Sequence, residues 1–240
     1  MVRDATPGPV PPEEIKKKFE EALMYCKDLK SAGRLVSGYD YGISEEGRIT
    51  LLPTKPPPEV LVPALGLSPD IAEQGRKALG RFQELRHALG TTMDLEANAW
   101  NSSPIGTELN YIEQTLRPEV NRMQDYAKGN TQGKAYNIET VMFLARQIAE
   151  LTDMLLDLVP LTQKRQMKML NEWAEKFRES NSVRATMQSL SASAEMIVAL
   201  DELRTSGKGD RKAVEDLMQQ VVHSNVIDSI RAAFKEAGRK

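Results

Sequence analysis

Ten of the chain's 13 prolines fall within its first 69 residues, and this asymmetry constrains the fold more than any other feature. Proline fixes φ and lacks a backbone N–H, so the early part of the chain can be neither one long helix nor a central strand. The later part, with three prolines, is free to build long helices. The expected organisation is an N-terminal arm over residues 1–69 and a helical bundle over residues 70–240.

Within the arm, Pro11 and Pro12 sit where a helix can begin, and Glu13 and Glu14 fall in its first turn, where carboxylates suit the positive dipole end. Ile15, Phe19, Leu23, Cys26 and Leu29 follow at spacings of three and four until Gly33, which predicts one amphipathic helix. Arg34 to Leu52 carries β-prone residues on either side of Ser44-Glu45-Glu46-Gly47, the pattern of a small hairpin. Two strands alone are marginal in water, so this hairpin needs something to pack on. From Pro53 to Pro69 six prolines predict an extended connector.

From Ser68 onward the apolar spacing is helical. Ser68-Pro69 and Ser103-Pro104 are start signals, Asn137 and Asp210 are capping residues, and Pro160 and Gly207 are stops. Pro118 is expected to kink or split the helix that holds Leu109, Ile112, Leu116, Val120 and Met123. Ile138, Val141, Ala145, Ile148, Thr152, Leu155 and Val159 form a heptad-like seam of barely three repeats. A helix over Leu161 to Ser180, another from Ser182 to Gly207 and a last one from Asp210 to Gly238 complete the pattern. Short connections between such helices imply antiparallel neighbours. The predicted fold is all-α: a bundle of about six helices preceded by a helix, a small β-hairpin and a proline-rich extended arm.

Reactive chemistry is sparse. Glu84 and His87 have the Glu-x-x-His spacing of carboxylate-bridged metal bundles, but the only other histidine, His223, is preceded at that offset by Gln220, so no metal site is expected. The single cysteine, Cys26, lies on the apolar side of its helix, where a buried structural thiol is the ordinary case, and it fits a reducing compartment. The loop Ser206 to Lys212 puts glycines and cations at a helix start, where an anion can dock, but it lacks phosphate-loop spacing and follows a helix. No catalytic residue and no cofactor are expected.

A net charge of −2 with 40% hydrophobic residues argues against a polycation and against wholesale disorder. No apolar run is long enough to span a bilayer, so no membrane association is expected. Met1 to Pro12 lacks the apolar stretch of a signal peptide, which favours an intracellular, cytoplasmic location or a place inside an assembled particle. Lys16-Lys17-Lys18, the group Lys164, Arg165 and Lys168, and the C-terminal group Arg231, Lys235, Arg239 and Lys240 are cationic, but acids stand beside the first two and no aromatics interleave. Eleven methionines suit cores and adaptable partner surfaces alike.

These features point to a non-enzymatic structural or assembly protein, a helical subunit of a large particle such as a virion or tail, working through helix-face and arm contacts. Its partners are then proteins, including copies of itself. Candidate interaction residues are Pro53, Pro56, Pro57, Pro58 and Pro63 of the connector, with Arg231, Lys235, Arg239 and Lys240 at the end. A nucleoprotein with cationic helix faces and a small-molecule enzyme using carboxylates are the alternatives. The first is distinguished by binding that weakens steeply with salt.

Overall fold

The computed structural model describes residues 11–53, 71–93, 102–128 and 136–238. Among them are seven α-helices and one two-stranded antiparallel hairpin, so the all-α expectation holds. In chain order these are α1 (Pro12–Ser31), β1 (Tyr39–Ile43), β2 (Ile49–Pro53), α2 (Ile71–Met93), α3 (Pro104–Ala127), α4 (Ile138–Leu158), α5 (Gln163–Ser206), α6 (Arg211–His223) and α7 (Val226–Ala237). They belong to two compact units, one drawn from residues 1–52 and 186–240 and the other from residues 53–185, with α5 supplying residues to both. The proline-based boundary at residues 69 and 70 and this division are different partitions; the first follows composition and the second follows packing.

In the first unit, α1 buries Ile15, Phe19, Ala22, Leu23, Cys26 and Leu29, the stripe that its spacing predicts. Gly33, at φ 63°, closes the helix: its N–H donates to the Lys30 carbonyl and the Arg34 N–H to that of Leu29. The hairpin turns over Ser44 to Arg48, with Gly47 at φ 73°. It finds the support it needs, for Leu35, Ile43 and Ile49 pack against a core of Phe19, Leu23, Ala194, Ile197, Leu203, Val214, Met218, Ile230 and Phe234. Lys27 Nζ reaches the buried Asp201 carboxylate at 2.7 Å and ties α1 to α5. Burial works to raise the Asp201 carboxyl, but hydrogen bonds and charge from Lys27 and Arg204 hold it below the usual carboxylate range.

A Cβ on Gly47 would collide with the Lys208 carbonyl oxygen. Gly47→Ala therefore meets both a left-handed backbone and a backbone collision, and we expect a loss of at least about 1–2 kcal/mol, read as a lower thermal midpoint by circular dichroism. An unchanged midpoint would mean that the turn does not rest on the α5–α6 loop.

The second unit gathers α2, α3, α4 and the first part of α5 around one core. Its innermost side chains include Phe82, Leu89, Ile105, Leu109, Ile112, Leu116, Leu144, Ile148, Leu151 and Phe177. Two of its helix starts are capped as expected: Ser103 Oγ accepts from Gly106 N–H at 3.1 Å, and Asn137 Oδ1 from Thr140 N–H at 2.9 Å. Gly75 is buried where a Cβ would sit 3.3 Å from Val120 Cγ2, so it lets α2 approach α3 closely. α2 runs on through Gly90 to Met93, while its expected start at Ser68 lies outside the described residues.

Pro118 sits inside α3 and does not split it. Two boundaries differ from expectation. The helices expected on either side of Asn181 are one, the 44-residue α5. No glycine or proline stands there, and Asn181 Oδ1 is occupied by Arg184 Nε at 3.1 Å and a second guanidinium nitrogen at 2.9 Å rather than by a capping bond. Conversely, the last helix is two, divided at Ser224 and Asn225. In one continuous helix Ile230 would face about 180° away from Val221, nine residues at roughly 100° each. The break turns Ile230 and Phe234 back into the core that holds Val221.

Candidate functional site

The residues that suggested chemistry do not converge. Glu84 and His87 are both exposed on α2, and among the described residues no group of three or more His, Cys, Asp or Glu side chains is placed to hold a metal. Cys26 is buried; desolvation pushes its thiol up to about 11, against an opposing pull from Arg231, so it is protonated and shielded. The loop Ser206 to Lys212 spends its polar groups locally. Gly207 ends α5 at φ 65°, and Asp210 Oδ1 accepts from Lys212 N–H at 3.1 Å.

Of the candidate interaction residues, Pro53 ends β2, while Pro56, Pro57, Pro58, Pro63, Arg239 and Lys240 lie outside the described residues. Arg231 and Lys235 are exposed one turn apart on α7, with the Arg231 guanidinium 6.0 Å from the centre of the Tyr25 ring. Much of the remaining cationic surface is paired within its own helix: Lys18 with Glu14, Lys168 with Glu172 and Arg211 with Glu215.

The apolar surface is more informative. The expected α4 seam holds at Ile138, Val141, Ala145 and Ile148, but Leu151 and Leu158 take the next core places. The observed core stripe, Val141, Leu144, Ile148, Leu151, Leu155 and Leu158, is itself a three-four seam, set to the Leu144 side of the expected one. Thr152 and Val159 are carried outside with Leu156. Leu156 is 81% exposed and Val159 69% exposed, three residues apart on one face. Pro160 ends the helix there, and Gln166 Nε2 donates to the Leu158 carbonyl at 3.0 Å. Beside this face a groove of about 470 Å³ runs between α2 and α4, lined by Arg81, Glu84, Leu85, Ala88, Ala149, Thr152, Asp153 and Leu155.

Compared with known proteins, the chain matches no family model, no curated protein and no solved structure.

A second groove, of about 750 Å³, lies in the other unit. Ile15, Leu203, Val214 and Met218 line it with Lys16, Arg204, Arg211 and Glu215. Further large apolar side chains are exposed at Met24 on α1 and Val183 on α5. Sequence reasoning passed over Leu156 because it breaks the heptad; it lies with Val159 beside the core stripe, on which Leu155 packs. No described helix is long and apolar enough to cross a membrane.

Proposed function

We propose that the chain is a non-enzymatic structural or assembly protein, a helical subunit of a large particle such as a virion or tail, which associates with protein partners and with copies of itself through helix faces and its proline-rich arm. The observation that carries this reading is the pair Leu156 and Val159, held out of the core at the end of α4 beside an open groove. An exposed apolar stripe on an ordered helix is a feature of association surfaces. The pairing of many cations with acids on their own helices supports a protein partner over a phosphate backbone.

The double substitution Leu156→Glu and Val159→Glu tests this surface. Both side chains are already in solvent, so the fold should keep its helical circular dichroism within about 0.5 kcal/mol of stability. Association should weaken by at least about tenfold, since two charges would have to be desolvated in the contact. Equal association of the variant and the natural chain, measured by sedimentation, would remove this face from the proposal.

A further inference from the structure

The hairpin is joined to α5 by a row of polar side chains. Gln188, Ser191 and Glu195 stand at spacings of three and four on α5 and meet the extended segment that leads into β1. Gln188 Nε2 donates to the Ser37 carbonyl at 2.9 Å, and Ser191 Oγ accepts from the Val36 N–H at 3.1 Å. Ser37 itself is 1% exposed and Glu195 5% exposed, so bulk water supplies little to either.

Counting protons at Ser37 gives an excess of acceptors. Its Oγ lies 2.6 Å from the Tyr39 carbonyl oxygen and 2.6 Å from Glu195 Oε2. It also receives the Tyr39 N–H at 3.2 Å. A hydroxyl has one proton to donate, and a carbonyl has none. Both short contacts are hydrogen bonds only if one of the two facing oxygens brings its own proton, and only the carboxyl can do so. With Glu195 protonated, its O–H donates to Ser37 Oγ while the Ser37 O–H donates to the Tyr39 carbonyl. With Glu195 ionised, one of the two close oxygen pairs has no proton between them.

We propose that Glu195 is a proton-dependent latch: it holds the segment Val36 to Tyr39, and the hairpin behind it, against α5 when protonated, and loosens that hold when it ionises. The groups around it agree. Burial is the main cause that carries the Glu195 carboxyl up to about 7, and the Asp40 charge adds to it; a hydrogen bond donated by Ser37 to the ionised carboxylate and the Lys30 charge oppose it. Asp40 and Tyr41 come from β1 and Lys30 from α1; Gln188 and Ser191 on α5 carry no charge. Lys30 is also drawn toward Asp40, 4.0 Å away, so it is a divided counter-ion. The Tyr41 hydroxyl is raised by burial and by the Glu195 charge, which keeps it neutral through this range.

The folded chain keeps a proton up to about pH 7 that an ordinary carboxyl, near 4.5, releases. The docked hairpin is then favoured fully below about 4.5 and loses that contribution as pH rises through about 7. Leu35, Ile43 and Ile49, which pack against the core of this unit, are the apolar residues that loosening would release. The inference stands apart from the assembly proposal, because it concerns the docking of one segment on its own unit.

Amide hydrogen exchange of Val36 and Tyr39, corrected for the intrinsic effect of pH, reads the latch directly on the full chain. Protection in the natural chain should fall by tenfold or more between pH 5.5 and pH 8.5, and Glu195→Gln, whose amide donates to Ser37 Oγ at every pH, should hold it level. Protection of the natural chain that does not change with pH, or a Glu195→Gln variant that loses protection as the natural chain does, would overturn the proposal. Should that variant fail to fold, the carboxyl carbon resonance of Glu195 in the labelled natural chain decides: a midpoint close to 7 supports the latch and one close to 4.5 refutes it.

Discussion

Replacing Phe177 by alanine lowers the stability of the unit drawn from residues 53–185 by about 3–5 kcal/mol, the cost of deleting a fully buried ring from a core that cannot close over the space. Phe177 is the point at which α3, α4 and α5 meet. Its ring stacks on Trp173 with centroids 5.3 Å apart and lies 6.1 Å from the Tyr111 ring and 5.8 Å from the Phe143 ring. Both tryptophans, Trp100 and Trp173, belong to the 53–185 stretch, so their fluorescence in a urea titration reports this unit alone. The midpoint should fall with little change of slope. A loss below about 1 kcal/mol would mean that the site collapses around the deletion and that the aromatic cluster is not a rigid centre.

The other unit has an internal probe of its own. Phe19 is fully buried two turns before Cys26, on the same face of α1. Phe19→Ala should cost about 3–5 kcal/mol by the same physics, and the shielded thiol makes that cost visible as chemistry. Cys26 is the chain's only cysteine, so modification by a thiol reagent in native buffer counts openings of this unit and nothing else. When closing is faster than labelling, the rate follows the open population, which rises tenfold for each ~1.4 kcal/mol lost. The variant should therefore react on the order of a hundredfold faster or more. A rate within about threefold of the natural chain would show that α1 frays without Phe19 mattering, and would contradict its place in the core.

Much of this architecture can be read from residues whose backbone chemistry leaves few options. Gly33, Ser103, Asn137, Pro160, Gly207 and Asp210 mark element ends in the sequence and mark them in the structure. Where the signal is only side-chain spacing, the reading is weaker. Asn181 and Ser182 resemble a cap, but capping residues also bond to side chains, and Arg184 takes Asn181 for that use. The break at Ser224 has no such signal, because Val222, Val226 and Ile230 carry the four-residue spacing across it.

Glu195 is the instructive case. It is the only charged residue between Ser189 and Leu200, so a lone carboxyl in an otherwise uncharged helical run was the available signal. Its partner Ser37 lies 158 positions away, and no local pattern announces such a pairing. The exposed face of α4 was half legible: Leu155 and Val159 both stood in the expected seam, but the core stripe runs through Leu144, Leu151 and Leu158, which leaves Leu155 packed on it and Val159 outside.

Most apolar stripes of the described helices are satisfied inside the two units, and the assembly proposal rests on the exposed pair Leu156 and Val159. Light scattering of the purified chain over a wide range of protein and salt concentration tests it most directly. Apolar burial is not screened by ions, so the predicted result is association that grows with protein concentration and persists in molar salt, and that the Leu156→Glu, Val159→Glu chain fails to show. A particle of monomer mass at every concentration, the same for both chains, would contradict it.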